Sequence, residues 1–267
     1  MNANLKSIDI REAVRDRYGK VAETKEGEPH GCCGGACGCG STVSLEEIGY
    51  SREQSAAVPE GANLGLGCGN PLGHAEVKPG ETVLDLGSGA GIDAFLASRD
   101  AGPTGRVIGV DMTASMVSRA RSNAVKGAFP NVEFRLGEIE NLPVADGSVD
   151  VIISNCVINL SPDKPRVFAE ALRALRPGGR IVVSDLVLAK PLPDSVRNSV
   201  EAYVGCVAGA SMKDEYLSMM RAVGFERVEV LEQKQYGASA FGEDDATERA
   251  TAEAIRSVKV RAYKPAA

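Results

Sequence analysis

An α/β fold built on a mostly parallel sheet of seven strands, with the last pair antiparallel, is what this 267-residue sequence predicts. Three observations predict it. From residue 82 onward, short runs rich in β-branched residues alternate with helical stretches. A glycine-rich turn joins the first of those runs to the helix after it. The final two runs alternate in character and have only a loop between them, which suits an antiparallel pair.

Residues 9 to 24 place Ile10, Val14, Tyr18 and Val21 at helical spacing and predict an amphipathic helix packed on the core. The stretch HGCCGGACGCG (30 to 40) follows and reads as a mobile loop carrying Cys32, Cys33, Cys37 and Cys39. Strands are then expected at TVLDL (82 to 86), RVIGVD (106 to 111), VEFRL (132 to 136), VDVIIS (149 to 154) and RIVVSDLVL (180 to 188). Helices are expected at about 91 to 100, at 113 to 127 and at about 163 to 176. Ser161, Pro162 and Asp163 open the last of these, and Pro177, Gly178 and Gly179 close it. A break at Lys190-Pro191-Leu192-Pro193 leads into helical segments from about 195 to 222, then into strands at 227 to 235 and 255 to 263. The expected division is a helix and cysteine-rich arm (1–57) and a sheet domain (58–267), with residues 190–223 as a helical insert on the substrate side.

Composition narrows the function classes. A 43% hydrophobic content supports a sizeable core and excludes a fully disordered chain. With a net charge of −6 and no long positive run, neither nucleic acid nor an anionic membrane is an expected partner, and a small molecule is. The charged N-terminal stretch does not resemble a signal peptide, and no run reaches the ~18 apolar residues of a membrane span. A cytoplasmic monomer is therefore expected. Seven cysteines in a reducing compartment argue against a disulfide framework and for thiols that bind a soft ion, cycle through redox states or fill core space.

VLDLGSGAG (83 to 91) reads as strand, tight turn and helix start. Gly87, Gly89 and Gly91, with Ser88 between them, let the backbone approach a ligand. Asp85 precedes the loop. Its charge would repel a pyrophosphate but suits the cationic, phosphate-free amino-acid end of S-adenosylmethionine. Asp111 ends the next strand, about 20 residues beyond the glycines, where a carboxylate accepts hydrogen bonds from ribose hydroxyls. Met112 beside it, Glu138 and Ile139 of GEIENLP, and Asn155 at the end of the fourth strand complete the expected cofactor set. Together these features resemble the class I S-adenosylmethionine-dependent methyltransferases, whose Rossmann-like sheet the seven strands match in order over roughly residues 58 to 267.

Cys68, Cys156 and Cys206 occupy the segments that close over the cofactor in such a fold. A buried, inert cysteine is the plain reading of any one of them. Zinc has little support, because the chain has two histidines, His30 and His74, and neither is spaced as a zinc partner. Trivalent arsenic fits better: it takes three sulfur ligands and keeps a lone pair, the nucleophile a methyl acceptor must present.

ANLGLGCGNP, LDLGSGAG, GVDM, NLPVADGSVDVIISNCVINLSPDK, LRPGG and YVGCVAGA resemble the arsenite S-adenosylmethionine methyltransferases. The resemblance implies that Cys68, Cys156 and Cys206 bind arsenic(III) delivered as a thiol adduct, with Cys156 and Cys206 central. It implies that arm cysteines capture arsenic or exchange disulfides, and that glutathione or thioredoxin returns electrons, which makes thioredoxin a possible partner. The chain departs from that family in its cluster of four arm thiols and in a shorter tail. Two other readings stay open: a small-molecule C- or O-methyltransferase with structural cysteines, and a non-catalytic arsenic or metal sensor.

Overall fold

The computed structural model describes residues 10–23, 45–235 and 246–266. Five strands come first: β1 Thr82–Leu86, β2 Arg106–Asp111, β3 Val132–Leu136, β4 Val149–Asn155 and β5 Leu175–Leu188. They pair in parallel in the order β3-β2-β1-β4-β5. Alternate residues of a strand face opposite sides of a sheet, and here both sides are apolar. Leu84, Leu86 and Ile152 pack with Phe168 and Leu175 on one face. Val83, Val107, Val151 and Ile153 pack with Phe95 and Phe134 on the other. Such strands need helices on both faces, and the crossovers supply them.

Helices α1 Ile10–Glu23, α2 Arg52–Ala57 and α3 Leu72–Ala75 precede the sheet; α4 Ile92–Ala101, α5 Ala114–Lys126 and α6 Lys164–Ala174 are its crossovers. α1 buries Ile10, Val14 and Val21, the residues its spacing picked out. Gly91 caps α4 at φ 101°, where a Cβ would lie 2.7 Å from the rings of Phe95 and Phe134. Only glycine fits that turn without displacing the aromatic pair.

After β5 the insert folds as short helices, α7 Asp194–Arg197, α8 Val200–Val204 and α9 Lys213–Ala222. β6 Glu226–Gln235 is an edge strand, and β7 Ile255–Tyr263 lies between β5 and β6, antiparallel to both. The expected antiparallel pair is present. Two local expectations change. Between β6 and β7 stands a helix, α10 Ala246–Ala254, not only a loop; it buries the small side chains of Thr251, Ala252 and Ala254. β5 starts at Leu175 rather than 180, because the chain leaves α6 directly into the sheet with a register shift opposite Val149 and Val151.

Strand order reverses between β1 and β4, which opens a crevice at the carboxyl ends of the strands. α1 and the insert cover that crevice: α1 packs against α5 and α8, and Tyr18 donates a hydrogen bond to the carbonyl of Val204, 3.2 Å away.

Candidate active site

One side of the crevice is polar. Asp85, at the end of β1, is buried, and its Oδ2 has no hydrogen-bond partner among the described residues. Burial pushes its carboxyl well up, and the carboxylates of Asp93 and Asp111 push it further. An orphaned, buried acid oxygen in a ligand-sized space is a place for a cation. Ser88 Oγ, one turn on, is also unpartnered, and a Cβ at Gly89 would meet nothing within 4 Å. Asp111 organises the loop: its Oδ2 accepts the N–H of Gly89 at 3.0 Å and its Oδ1 that of Thr113 at 2.8 Å. Met112 and Ile139 line the same space, as do Gly87, Ser88, Gly89 and Asn155. From GEIENLP the lining acid is Glu140; the Glu138 carboxylate is bonded by Arg15 at 2.6 Å. This array fits an S-adenosyl donor.

The other side is apolar and sulfur-lined. Cys68 and Cys206 are buried and Cys156 half-buried, and none is in a disulfide. The Cys206 thiol donates to the Cys156 carbonyl at 2.8 Å, and the Cys68 thiol to the Ser184 carbonyl at 3.6 Å. So the three cysteines, drawn from the segment before β1, the end of β4 and the insert, line one cavity; the thiols of Cys68 and Cys156 lie within 4.8 Å of each other, and Cys206 reaches the pair through the Cys156 carbonyl. Their neighbours include Leu160, Leu186, Val207 and, from α1, Val14 and Tyr18.

Local backbone explains how they meet. Cys156 and Cys206 have φ of 58° and 64°, in the left-handed region that costs a side-chain-bearing residue about 1–2 kcal/mol. Strain concentrated at two of the three thiols points to function rather than packing. Gly67 and Gly69 bring Cys68 close: a Cβ at Gly69 would fall 2.2 Å from Ser184 Oγ, and Gly67 lies against the amide of Asn155.

Cys156 and Cys68 are stored protonated. Donation of the Cys156 S–H toward Cys206 and Cys68, then burial, pushes Cys156 well above the ordinary thiol range, and burial raises Cys68. Protons therefore leave when a thiophilic centre binds.

Sequence reasoning missed Asp185. One of its carboxylate oxygens and the thiols of Cys68 and Cys156 all lie within 4.8 Å of one another. It accepts hydrogen bonds from Asn159 Nδ2 (2.8 Å), the Leu186 N–H (2.9 Å) and the Tyr216 hydroxyl (3.1 Å), and burial pushes it up to about 7. The available signal was a single acid inside the apolar run RIVVSDLVL. His74 stands elsewhere, 3.5 Å from Glu232 on the sheet's far strands. Cys32, Cys33, Cys37, Cys39 and His30 lie outside the described residues.

Both sides belong to one cavity of about 290 Å³. Polar groups for a charged donor and soft ligands for an acceptor thus face a common space, with Val14 and Tyr18 of α1 among its walls.

A family model described as a methyltransferase domain matches residues 77–224. The arsenite methyltransferase of Halobacterium salinarum is 48% identical over 269 residues, which cover 97% of this chain and 67% of that protein. The arsenite methyltransferase of Aquipseudomonas alcaligenes is 38% identical over 81% of this chain and 62% of its own length. The chain thus spans about two thirds of these relatives. A crystal structure of an arsenic(III) S-adenosylmethionine methyltransferase from Chlamydomonas reinhardtii superposes with a TM-score of 0.66, at 34% identity, over 84% of this chain and 75% of that one.

Proposed function

The chain belongs to the arsenite methyltransferase family, and from that premise we propose that it methylates trivalent arsenic held by Cys68, Cys156 and Cys206. The observation that carries this reading is that Cys68, Cys156 and Cys206 all line the cavity that also contains the Asp85 oxygen left without a partner among the described residues.

S-adenosylmethionine supplies an electrophilic methyl group on a positively charged sulfur. By this reading the Asp85 oxygen without a partner among the described residues takes an N–H of the donor's cationic amino-acid end, while the backbone of Gly87, Ser88 and Gly89 gives it room; Gly91, expected in the same role, lies outside the cavity lining and serves the Phe95–Phe134 packing. Asp111 takes the ribose hydroxyls with the lone pairs that Gly89 and Thr113 leave free, and Met112, Ile139 and Glu140 face the adenine.

Arsenic(III) arrives as a thiol adduct. Each protein thiol forms one As–S bond as one As–S bond to the carrier breaks, and its proton leaves with the departing thiol. Held by three sulfurs, arsenic keeps its lone pair, so the nucleophile carries no proton and needs no general base. The residues' contribution is orientation at attack distance in a site closed to water. As the C–As bond forms, the methyl–sulfur bond breaks and arsenic rises by two in formal oxidation state. Two thiols then return an electron pair and become a disulfide, which glutathione or thioredoxin reduces. The arm thiols Cys32, Cys33, Cys37 and Cys39 are proposed to collect arsenic and to take part in that exchange, in a cytoplasmic setting.

The test is to incubate the protein with arsenite, a thiol and methyl-labelled S-adenosylmethionine. Labelled methylarsenicals are expected from the wild type and not from Cys156→Ser. No product from the wild type would sink the reading, and undiminished product from the variant would remove Cys156 from it.

A further inference from the structure

Asn155, the last residue of β4, stands between the two sides of the cavity, and its side chain is spent on the thiol loop. The Cys68 N–H donates to Asn155 Oδ1 at 3.1 Å, and Asn155 Nδ2 donates to the Gly69 carbonyl at 2.6 Å. One side-chain amide thereby holds the N–H of Cys68 and the carbonyl of the residue after it. Gly67 makes room: a Cβ there would lie 3.1–3.3 Å from the Asn155 amide atoms.

The same amide faces the donor side. Its Nδ2 lies 3.1 Å from Asp93 Oδ2 and 2.9 Å from the Tyr50 hydroxyl, which itself donates to Asp93 Oδ1 at 2.7 Å. Asp93 sits in the first turn of α4, and among charged groups it is the strongest influence on Asp85. Asp85 and Asp93 line the same cavity, and a hydrogen-bonded chain runs from Asp93 through the Tyr50–Asn155 pair to the backbone of Cys68. Every link in it is buried or half-buried, where hydrogen bonds to a carboxylate are strong.

We infer that Asn155 is a positioning residue which couples occupancy of the donor site to the placement of Cys68, so that donor and thiophilic acceptor bind with positive cooperativity. A cation beside Asp85 relieves its repulsion with Asp93. Asp93 then holds Tyr50 and Asn155 more firmly as an ionised acceptor, and Asn155 fixes the Cys68 peptide where its thiol meets Cys156. By linkage, a centre bound on the thiols favours the donor by the same factor. The inference rests on the reading of the polar side as the donor site, and not on the acceptor being arsenic.

The readout is the alkylation rate of each cysteine by iodoacetamide, resolved by peptide mass spectrometry, with and without saturating S-adenosylhomocysteine, whose binding is measured separately by calorimetry. In the wild type the product is expected to slow alkylation of Cys68 about fivefold or more, with Cys206 changing less. At S-adenosylhomocysteine concentrations that calorimetry shows to be saturating for each variant, Asn155→Ala should leave Cys68 reacting faster and at a rate the product no longer alters. Tyr50→Phe, which keeps the amide clamp, should lose part of the effect. Retention of the full slowing in Asn155→Ala would overturn the inference, as would product binding to the wild type without change at Cys68. A uniform rise at all three cysteines in both variants would mean a merely structural role and would overturn it too. Failure of the wild type to bind S-adenosylhomocysteine would instead overturn the donor reading, and this inference with it.

Discussion

The two sides of the cavity solve opposite problems. The donor side holds a carboxyl oxygen without a partner among the described residues, and burial raises Asp85, Asp93 and Asp111, with the charges of the other two pushing Asp85 further up. That arrangement is uncomfortable until a cation arrives. The acceptor side stores the Cys68 and Cys156 thiols in neutral form in an apolar pocket and spends backbone strain at Cys156 and Cys206. One side waits for charge, the other for softness, and the difference teaches that each should fail separately when its own chemistry is removed.

The largest break is expected from Cys206→Ser. Methyl transfer to arsenite should fall at least ~100-fold, since misplacing a reactant by about an ångström is worth that much, while calorimetry should find donor affinity unchanged. A parallel loss of donor binding would mean the two sides are not separable. Next comes Asp85→Asn, which removes a charge-assisted hydrogen bond of about 1.5–3 kcal/mol. Donor affinity should drop about tenfold or more, while arsenite binding to the donor-free protein should not weaken, because Asp93 no longer faces a charged neighbour.

Gly87→Ala tests where the sides touch. Its φ is 66°, and a Cβ would lie 2.3 Å from Cγ2 of Val157, the residue after Cys156. Stability should fall by ~1–3 kcal/mol, visible as a lower thermal midpoint, and both ligands should weaken together. Loss of the donor alone would show that the strain does not reach the thiols.

The smallest effect is a pH dependence. Burial pushes Asp93 up to about 6 and Asp185 up to about 7, from 3.8 in the open chain. Between those values the folded protein keeps protons that the unfolded chain has released, so stability is lost as pH rises through the window. The thermal midpoint of the ligand-free protein should decline from about pH 5 to about pH 7.5, and S-adenosylhomocysteine should flatten the decline. A midpoint that climbs over this range would contradict the burial of these acids.

How much could be read in the sequence differs between the same two sides. Asp85, the glycine loop and Asp111 were legible because each sits in a contiguous strand–turn–helix whose local pattern names its job. Cys68, Cys156 and Cys206 were legible as residue types at suggestive places, but their meeting depends on the β4–β5 pairing and on how the insert folds back. Tyr50, Asp93 and the engaged amide of Asn155 were not legible in these roles. Their bonds join positions 43 to 105 residues apart, and nothing in the local sequence marks them. Glu140 lines the cavity where Glu138 was expected because the pattern fixed the loop but not which of two nearby acids turns inward. The helix α10 escaped for another reason: its buried face is alanine and threonine, too small to leave a hydrophobic period.

The position of β7 has a consequence for the order of events during synthesis. β6 emerges from the ribosome first, yet it cannot join the sheet until β7 has paired with β5. The hydroxyl of Ser257 on β7 holds the carbonyl of Cys68 at 3.1 Å, across 189 residues of sequence. Cys68 is translated early and fastened late. Because such distant contacts form slowly, the nascent chain completes the donor loop well before all three thiols can close on one atom.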